Sequence, residues 1–382
     1  MISIPGFSVI VGIGLVGSTI MMLLEEKKSI SISLELRFWL IFTIYIFVTG
    51  IFVSSNLVGF LNSYLTWLQY FILLFSISIL VNQGKINKDI ILFTVFIIYI
   101  SYLYFILTTN AISIHGRVSF VEGYNPNAIG YIIVFGTWIL LYYLHSSSGM
   151  FMKLVVGTGL VLSFYTIVSS GSRQNLLALI VVIVLWLILC MPKIFKPNKN
   201  WRRTIITTLF VSIVFLLTFS NLYSWFQNTF ENSVMNERIY SNVTYTGDQQ
   251  RQLLYLQALE FWKERPLVGI GYDQYRELSF TSGYSHSTFA EILSTTGIIG
   301  FVLWFIPYLL IIKNYLTLRG SLKGNNTELY KLNMLFILFC SLIIYGFTTV
   351  HSYKIEMMVM ILYLILSMNE LKRSLARGNP LL

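Results

Sequence analysis

Apolar residues fall in long runs along this chain, and polar residues gather in the short stretches between them. The runs cover 4–24, 38–55, 62–81, 89–109, 128–144, 154–169, 174–190, 204–220, 287–312, 332–350 and 357–370. Most hold about 17 to 22 residues, enough for an α-helix to cross a bilayer. Ten-residue segments of alternating hydrophobicity, the mark of a membrane barrel, are absent. The pattern predicts an all-α polytopic membrane protein of about 11 helices (10–12), one membrane domain over 1–382. The first run lacks a basic leader and a cleavage site, so it is read as a helix and not as a signal peptide.

Composition agrees. Of 382 residues, 56% are hydrophobic and 11% charged, too apolar a balance for a soluble domain of this length. Charge then orients the helices. The segments 25–37, 82–88, 145–153, 191–204, 313–331 and 371–382 carry 18 Lys and Arg, and the opposite side carries 8. Five of those 8 lie in one long loop, 221–285, whose charges count for little, which leaves 18 against 3. The C-terminal tail is therefore expected inside and the 221–285 loop outside the cytoplasmic membrane. The net charge of +10 reflects this topology and anionic headgroups, with no reason to invoke nucleic acid.

Two cysteines, Cys190 and Cys340, give no disulfide framework, and histidines at 115, 145, 286 and 351 have no zinc-ligand spacing. No phosphate-binding glycine loop is present, so neither metal nor cofactor is expected.

The polar residues that stand out all fall on the outer side. Arg117 precedes Glu122-Gly123-Tyr124-Asn125-Pro126-Asn127, a turn in which Asn127 is placed to cap the next helix. Arg173 sits in the tight turn Ser169–Asn175. An arginine there either faces a polar cavity, where its planar fork suits phosphate, or snorkels to lipid headgroups. In the long loop, 248–265 reads as a helix with Leu253, Leu256, Leu259 and Trp262 on a narrow apolar stripe, ended by Pro266. Arg251 falls in its first turn, a poor place for a cation without an anionic partner such as Asp248 or a ligand. Arg276 and Tyr284 lead to His286, at the boundary of the run from 287. On a continuous helix, eleven residues make three turns plus roughly 20°, which would put Gly297 under His286 on one face, with Gly300 a turn further. That is a titratable group above a smooth small-residue stripe, or an interfacial histidine above an ordinary packing groove.

In this order the pieces resemble the O-antigen ligase and polymerase superfamily, bacterial membrane enzymes that assemble surface polysaccharides. Its signature is His, then Asn, Ser or Gln, nine residues, Gly, two residues, Gly. His286-Ser287, Gly297 and Gly300 match it. Gly171-Ser172-Arg173 is similar to the family's Gly-Ser-Arg. Arg251 ahead of Pro266-Leu267-Val268-Gly269-Ile270-Gly271 is similar to its arginine before a Pro-Leu-x-Gly-x-Gly turn. Arg117 with Asn125-Pro126-Asn127-Ala128 resembles an upstream element. The matches run from about 117 to 300. Family members often have about twelve spans and an inside N-terminus, so the helix count here departs from the pattern.

The resemblance implies a GT-C-like glycosyltransferase architecture and metal-independent glycosyl transfer on the outer face of the bacterial cytoplasmic membrane. The donor would be an undecaprenyl-diphosphate-linked glycan and the acceptor a sugar hydroxyl on a second glycan; a chain-length regulator is a further expected partner. Arg173 and Arg251, with Arg117 and Arg276 in support, would hold the leaving diphosphate, and His286 would take the proton of the attacking hydroxyl. A polymerase of lipid-linked repeat units is favoured. The alternatives are a ligase that passes the finished glycan to a lipid or protein, and a flippase of lipid-linked glycans. A flippase would be expected to place polar residues deep in several spans.

Overall fold

A computed structural model describes residues 32–108, 112–114, 117–119, 126–144, 150–190 and 246–376. The predicted spans 4–24 and 204–220 lie outside the described residues, as does 221–245 of the long loop. In chain order the elements are α1 (Leu34–Val53), α2 (Leu57–Asn82), α3 (Asp89–Thr108), β1 (Ile112–Ile114), β2 (Arg117–Ser119), α4 (Pro126–Leu144) and α5 (Met150–Ser169). There follow α6 (Arg173–Leu189), α7 (Thr246–Glu264), α8 (Tyr275–Leu278), α9 (Thr288–Ser321), α10 (Asn326–Gly346) and α11 (Ile355–Ala376). Helices α1, α2, α9 and α10 are long and apolar enough to cross a membrane, and shorter apolar stretches lie in α3, α4, α5 and α6. The protein is an all-α polytopic membrane protein. One small addition is the antiparallel ribbon β1–β2, which pairs Arg117 with Ile114.

The chain forms two compact units. The first comprises 1–91, 245–321 and 342–382. Its helices start on sequence-coded caps: Ser33 Oγ accepts from Leu36 N, and Asn56 Oδ1 accepts from Gly59 N at 2.9 Å. Helix α1 buries Leu36, Trp39, Phe42, Ile46 and Gly50, while Ile44, Val48 and Phe52 on its other side stay exposed. Apolar residues on both faces are what a helix between protein and lipid needs. The buried face meets an aromatic cluster. Trp67 and Trp304 lie 5.3 Å apart, Phe42 and Trp304 5.0 Å, and Trp67 Nε1 donates to Thr43 Oγ1 at 3.0 Å. Within lipid, such close packing and internal hydrogen bonds hold helices together, since exclusion from water does not. At the other end of α1, the buried Glu35 carboxylate accepts from Asn314 Nδ2 on α9 and Asn369 Nδ2 on α11.

The second unit comprises 92–244 and 322–341. Trp138 of α4 donates to the Met334 carbonyl at 2.7 Å, and Asn333 Nδ2 donates to Leu189 O at 2.8 Å. Thr137, Ser163 and Tyr99 share a buried hydroxyl chain. The turn into α6 uses Gly171 at φ +63°, a backbone state that favours glycine. Pro126 takes the first position of α4, where its missing N–H costs nothing, so Asn127 lies inside the helix and not at its cap.

The setting of the α7 stripe is a finding of the structure, and a further sequence expectation, about α9, is corrected. Helix α7 forms, but Leu253, Leu256 and Leu259 are its exposed face, at 53%, 57% and 40% exposure. Its buried face is Leu254, Ala258 and Phe261, packed against Ile270, Tyr275 and Ala290. Helix α9 begins at Thr288 and is broken at Gly297 (φ +62°, ψ −169°), so His286 and Gly297 do not share a continuous helical face.

Candidate functional site

The break in α9 is filled by the turn that follows α7. Ile270 N and Gly271 N donate to the carbonyls of Ser294 and Thr295 at 3.0 and 2.9 Å. Ile298 N in turn donates to Pro266 O at 2.9 Å. The Pro-Leu-Val-Gly-Ile-Gly turn thus supplies the hydrogen bonds that the interrupted helix would otherwise leave unmade. Two glycines make this approach possible. A Cβ on Gly269 would stand 2.4 Å from the Thr295 backbone, and one on Gly297 would stand 2.3 Å from the Leu267 carbonyl. Tyr45 of α1 closes the joint by donating to Thr296 O at 2.8 Å.

One to three turns before that joint, the chain carrying His286 is pinned from several sides. Ser285 N donates to the fully buried Glu291 at 2.8 Å, and Ser285 Oγ donates to Ser287 O at 3.1 Å. Ser287 caps α9, its Oγ accepting from Ala290 N and donating to Gly346 O. Thr288 Oγ1 donates to Thr349 O at 2.7 Å and accepts from His351 N at 3.0 Å. Held in this way, His286 adopts φ +61°, a left-handed state that costs a residue with a Cβ about 1–2 kcal/mol. All three left-handed non-glycine residues among those described, Asp273, Ser282 and His286, fall in this one stretch, and such strain concentrates at functional sites.

The His286 ring lies 4.4 Å from the Tyr284 ring, centroid to centroid. Burial, and then the charge of Arg251, pushes its pKa down from 6.5 to about 4. The imidazole is therefore neutral at physiological pH, able to accept a proton. Arg251 sits in the second turn of α7, which begins at Thr246, and forms no ion pair with the described residues.

Arg276 is differently placed. Its Nε and Nη2 fork onto Asp273 at 2.9 and 2.5 Å, and its guanidinium lies 5.1 Å over the Tyr353 ring. The bond to Asp273 holds its pKa above the ordinary arginine range. Ser63 Oγ also donates to Asp273, and Tyr353 donates to Glu291 at 3.1 Å. A chain of bonds and ring contacts thus joins the His286 loop to Arg276 through Glu291 and Tyr353. Beside it opens a pocket of about 180 Å³, lined by Arg276, Tyr284, Thr349, Val350, Tyr353 and Lys354.

The structure thus brings His286, Arg251 and Arg276 into one unit. Arg173, exposed at the first position of α6, and Arg117, on β2, belong to the other. Glu291, Tyr353 and Lys354 went unnoticed in the sequence. Glu291 is a carboxylate inside an apolar run, and Lys354 is the third cation, after Arg117 and Arg173, on the short loops that the charge pattern predicts to lie outside; both signals were available. Among the described residues no group of three or more His, Cys, Asp or Glu could hold a metal ion.

No curated protein matches the chain. Residues 158–305 match the model of a family described as O-antigen ligase, a stretch that takes in Arg173, Arg251, Arg276, His286 and the Gly297–Gly300 joint. Over that stretch, somewhat under half of its length, the chain is similar to the O-antigen ligase family.

Proposed function

We propose that the protein is a glycosyltransferase that polymerises undecaprenyl-diphosphate-linked oligosaccharide repeat units into a surface polysaccharide, O-antigen or capsular, on the outer face of the bacterial cytoplasmic membrane. The observation that carries this reading is a neutral, strained and firmly anchored His286 beside Arg251, inside the stretch that matches the O-antigen ligase family. His286 takes the proton from the acceptor hydroxyl as that oxygen attacks the anomeric carbon of the donor. The bond from that carbon to the diphosphate oxygen breaks, and the diphosphate leaves on its lipid with the bonding pair. Its developing charge is met by Arg251, in the unit of His286. Arg173 and Arg117 are assigned to the donor diphosphate by the family resemblance. Arg276, already forked onto Asp273, offers Nη1 and a field but not a full bidentate grip. Ligation of a finished glycan to a lipid or protein would use the same site with a different acceptor.

The test is chain growth by purified protein on a lipid-linked repeat unit. The reading predicts ladders of increasing length, abolished by His286→Asn, a side chain that tolerates left-handed backbone. Transfer of one preformed glycan to a lipid acceptor, without ladders, would identify a ligase instead. Movement of intact donor across vesicles without any transfer would overturn the enzyme reading in favour of a flippase.

A further inference from the structure

The pocket between α8 and the α10–α11 connection holds residues besides Arg276, Lys354 and Thr349 among them, that the transfer step does not use. Lys354 lines it and forms no ion pair among the described residues. Thr349 lines it too; its side chain is 1% exposed, and its Oγ1 has no hydrogen-bond partner among the described residues. A buried hydroxyl left unmatched costs free energy unless a ligand or water completes it. The backbone carbonyl of the same residue is already used twice over, by Thr288 N and Thr288 Oγ1, so Thr349 is fixed in place while its hydroxyl stays uncommitted. Arg276 adds Nη1, the nitrogen outside its fork onto Asp273. Tyr284, whose ring also touches His286, and Tyr353 form aromatic walls. An ammonium, a guanidinium edge and an unmatched hydroxyl are all able to donate, beside rings that can lie against a sugar face.

We infer that this pocket is an anion-binding subsite for the glycan substrate. Lys354, Thr349 and Arg276 would hold a carboxylate or phosphate group while Tyr284 and Tyr353 flank the sugar that carries it. That the anion belongs to a glycan rests on the glycosyl-transfer reading; that the pocket binds an anion does not. Lys354 is one of only three Lys or Arg residues on the short loops that the charge pattern predicts to lie outside.

The test is isothermal titration of the purified full chain in detergent with three probes: inorganic phosphate, glucuronate and glucose. The inference predicts saturable binding of phosphate or glucuronate and none of glucose at the same concentrations. Lys354→Gln should weaken anion binding by about tenfold or more, Thr349→Val by about threefold, and Lys354→Arg should largely restore it. Lys313→Gln, on the exposed part of α9, serves as the control for general charge. Preference for phosphate points to the lipid diphosphate end of the donor, and preference for glucuronate to an acidic sugar. The inference is overturned if no anion binds saturably, or if Lys354→Gln and Lys313→Gln bind alike. Those outcomes leave chain growth untouched, whereas absent chain growth with intact anion binding would sink the transferase reading alone.

Discussion

The two halves of one sequence signature do opposite work. At Gly297 the chain is packed so closely against Leu267 and Val268 that no side-chain atom fits, and Ser294 O, Thr295 O, Ile298 N and Ile299 N of the broken helix find backbone partners in the turn. At His286, eleven residues earlier, the backbone is just as unusual, but the side chain beside it is polar, titratable and next to a pocket. Gly297 tolerates φ +62° at little cost because it has no Cβ; His286 adopts φ +61° only because Glu291, Ser287 and Thr288 hold the chain around it. The comparison teaches that the glycines are not a smooth track beneath the histidine. They make a rigid splice, and the splice fixes the start of α9 from which the histidine loop is hung.

Breaking the chemistry and leaving the splice should give the largest effect. His286→Asn should lower transfer by about 10²–10⁴-fold, the range for losing a general base, with the thermal midpoint nearly unchanged. Breaking the splice should do the reverse. Gly297→Ala or Gly269→Ala should cost about 2–5 kcal/mol, combining left-handed strain with overpacking, and should be read as lost folded protein in detergent melts. Activity per folded molecule should suffer less than in His286→Asn.

A smaller effect is expected from the arginines. Arg251→Lys and Arg173→Lys keep a charge but lose the planar fork, so each should raise KM for the lipid-linked donor by about tenfold, with folding intact. Unchanged donor kinetics in both would detach the arginines from the site. A separate effect falls on stability and not on transfer, through its dependence on pH. Burial pushes His351 down to about 3, and its unfolded value is about 6.5. Between those values the unfolded state binds a proton that the folded state does not, so stability falls as pH falls. The loss is about 2 kcal/mol at pH 5, and His286 adds to it in the same direction. His351→Gln should flatten this slope in melts taken from pH 7 to pH 5, and an unchanged slope would contradict the assignment.

Much of this was legible in the chain. Among the described residues helices lie where the apolar runs put them, because a helix in lipid must satisfy its backbone internally and so announces itself by length. His286 and Arg251 stood out by their places near predicted helix starts, and the two glycine motifs by the family resemblance. What the pattern did not reveal was the setting of the faces. Leu253, Leu256 and Leu259 are apolar and periodic, yet exposed, since periodicity reveals an apolar face and not which surface it meets. The helical-face argument for Gly297 assumed an unbroken helix, and left-handed glycine geometry has no periodic signature. The corner His351–Lys354 carries no motif at all. Its importance comes from the distant residues Glu291, Tyr308 and Arg276 that it touches.

The central claim is that His286 works as a neutral base beside Arg251, and the pH dependence of transfer tests it most directly. With donor and acceptor below saturation, kcat/KM for wild-type protein should stay level from neutral pH down to about pH 5. It should then fall with an apparent pKa near 4, where the buried imidazole gains its proton. Replacing Arg251 with Gln should move that midpoint upward, because a neighbouring positive charge no longer opposes protonation. An acid limb at 6.5 or above in wild type, or the same limb in His286→Asn, would contradict the account.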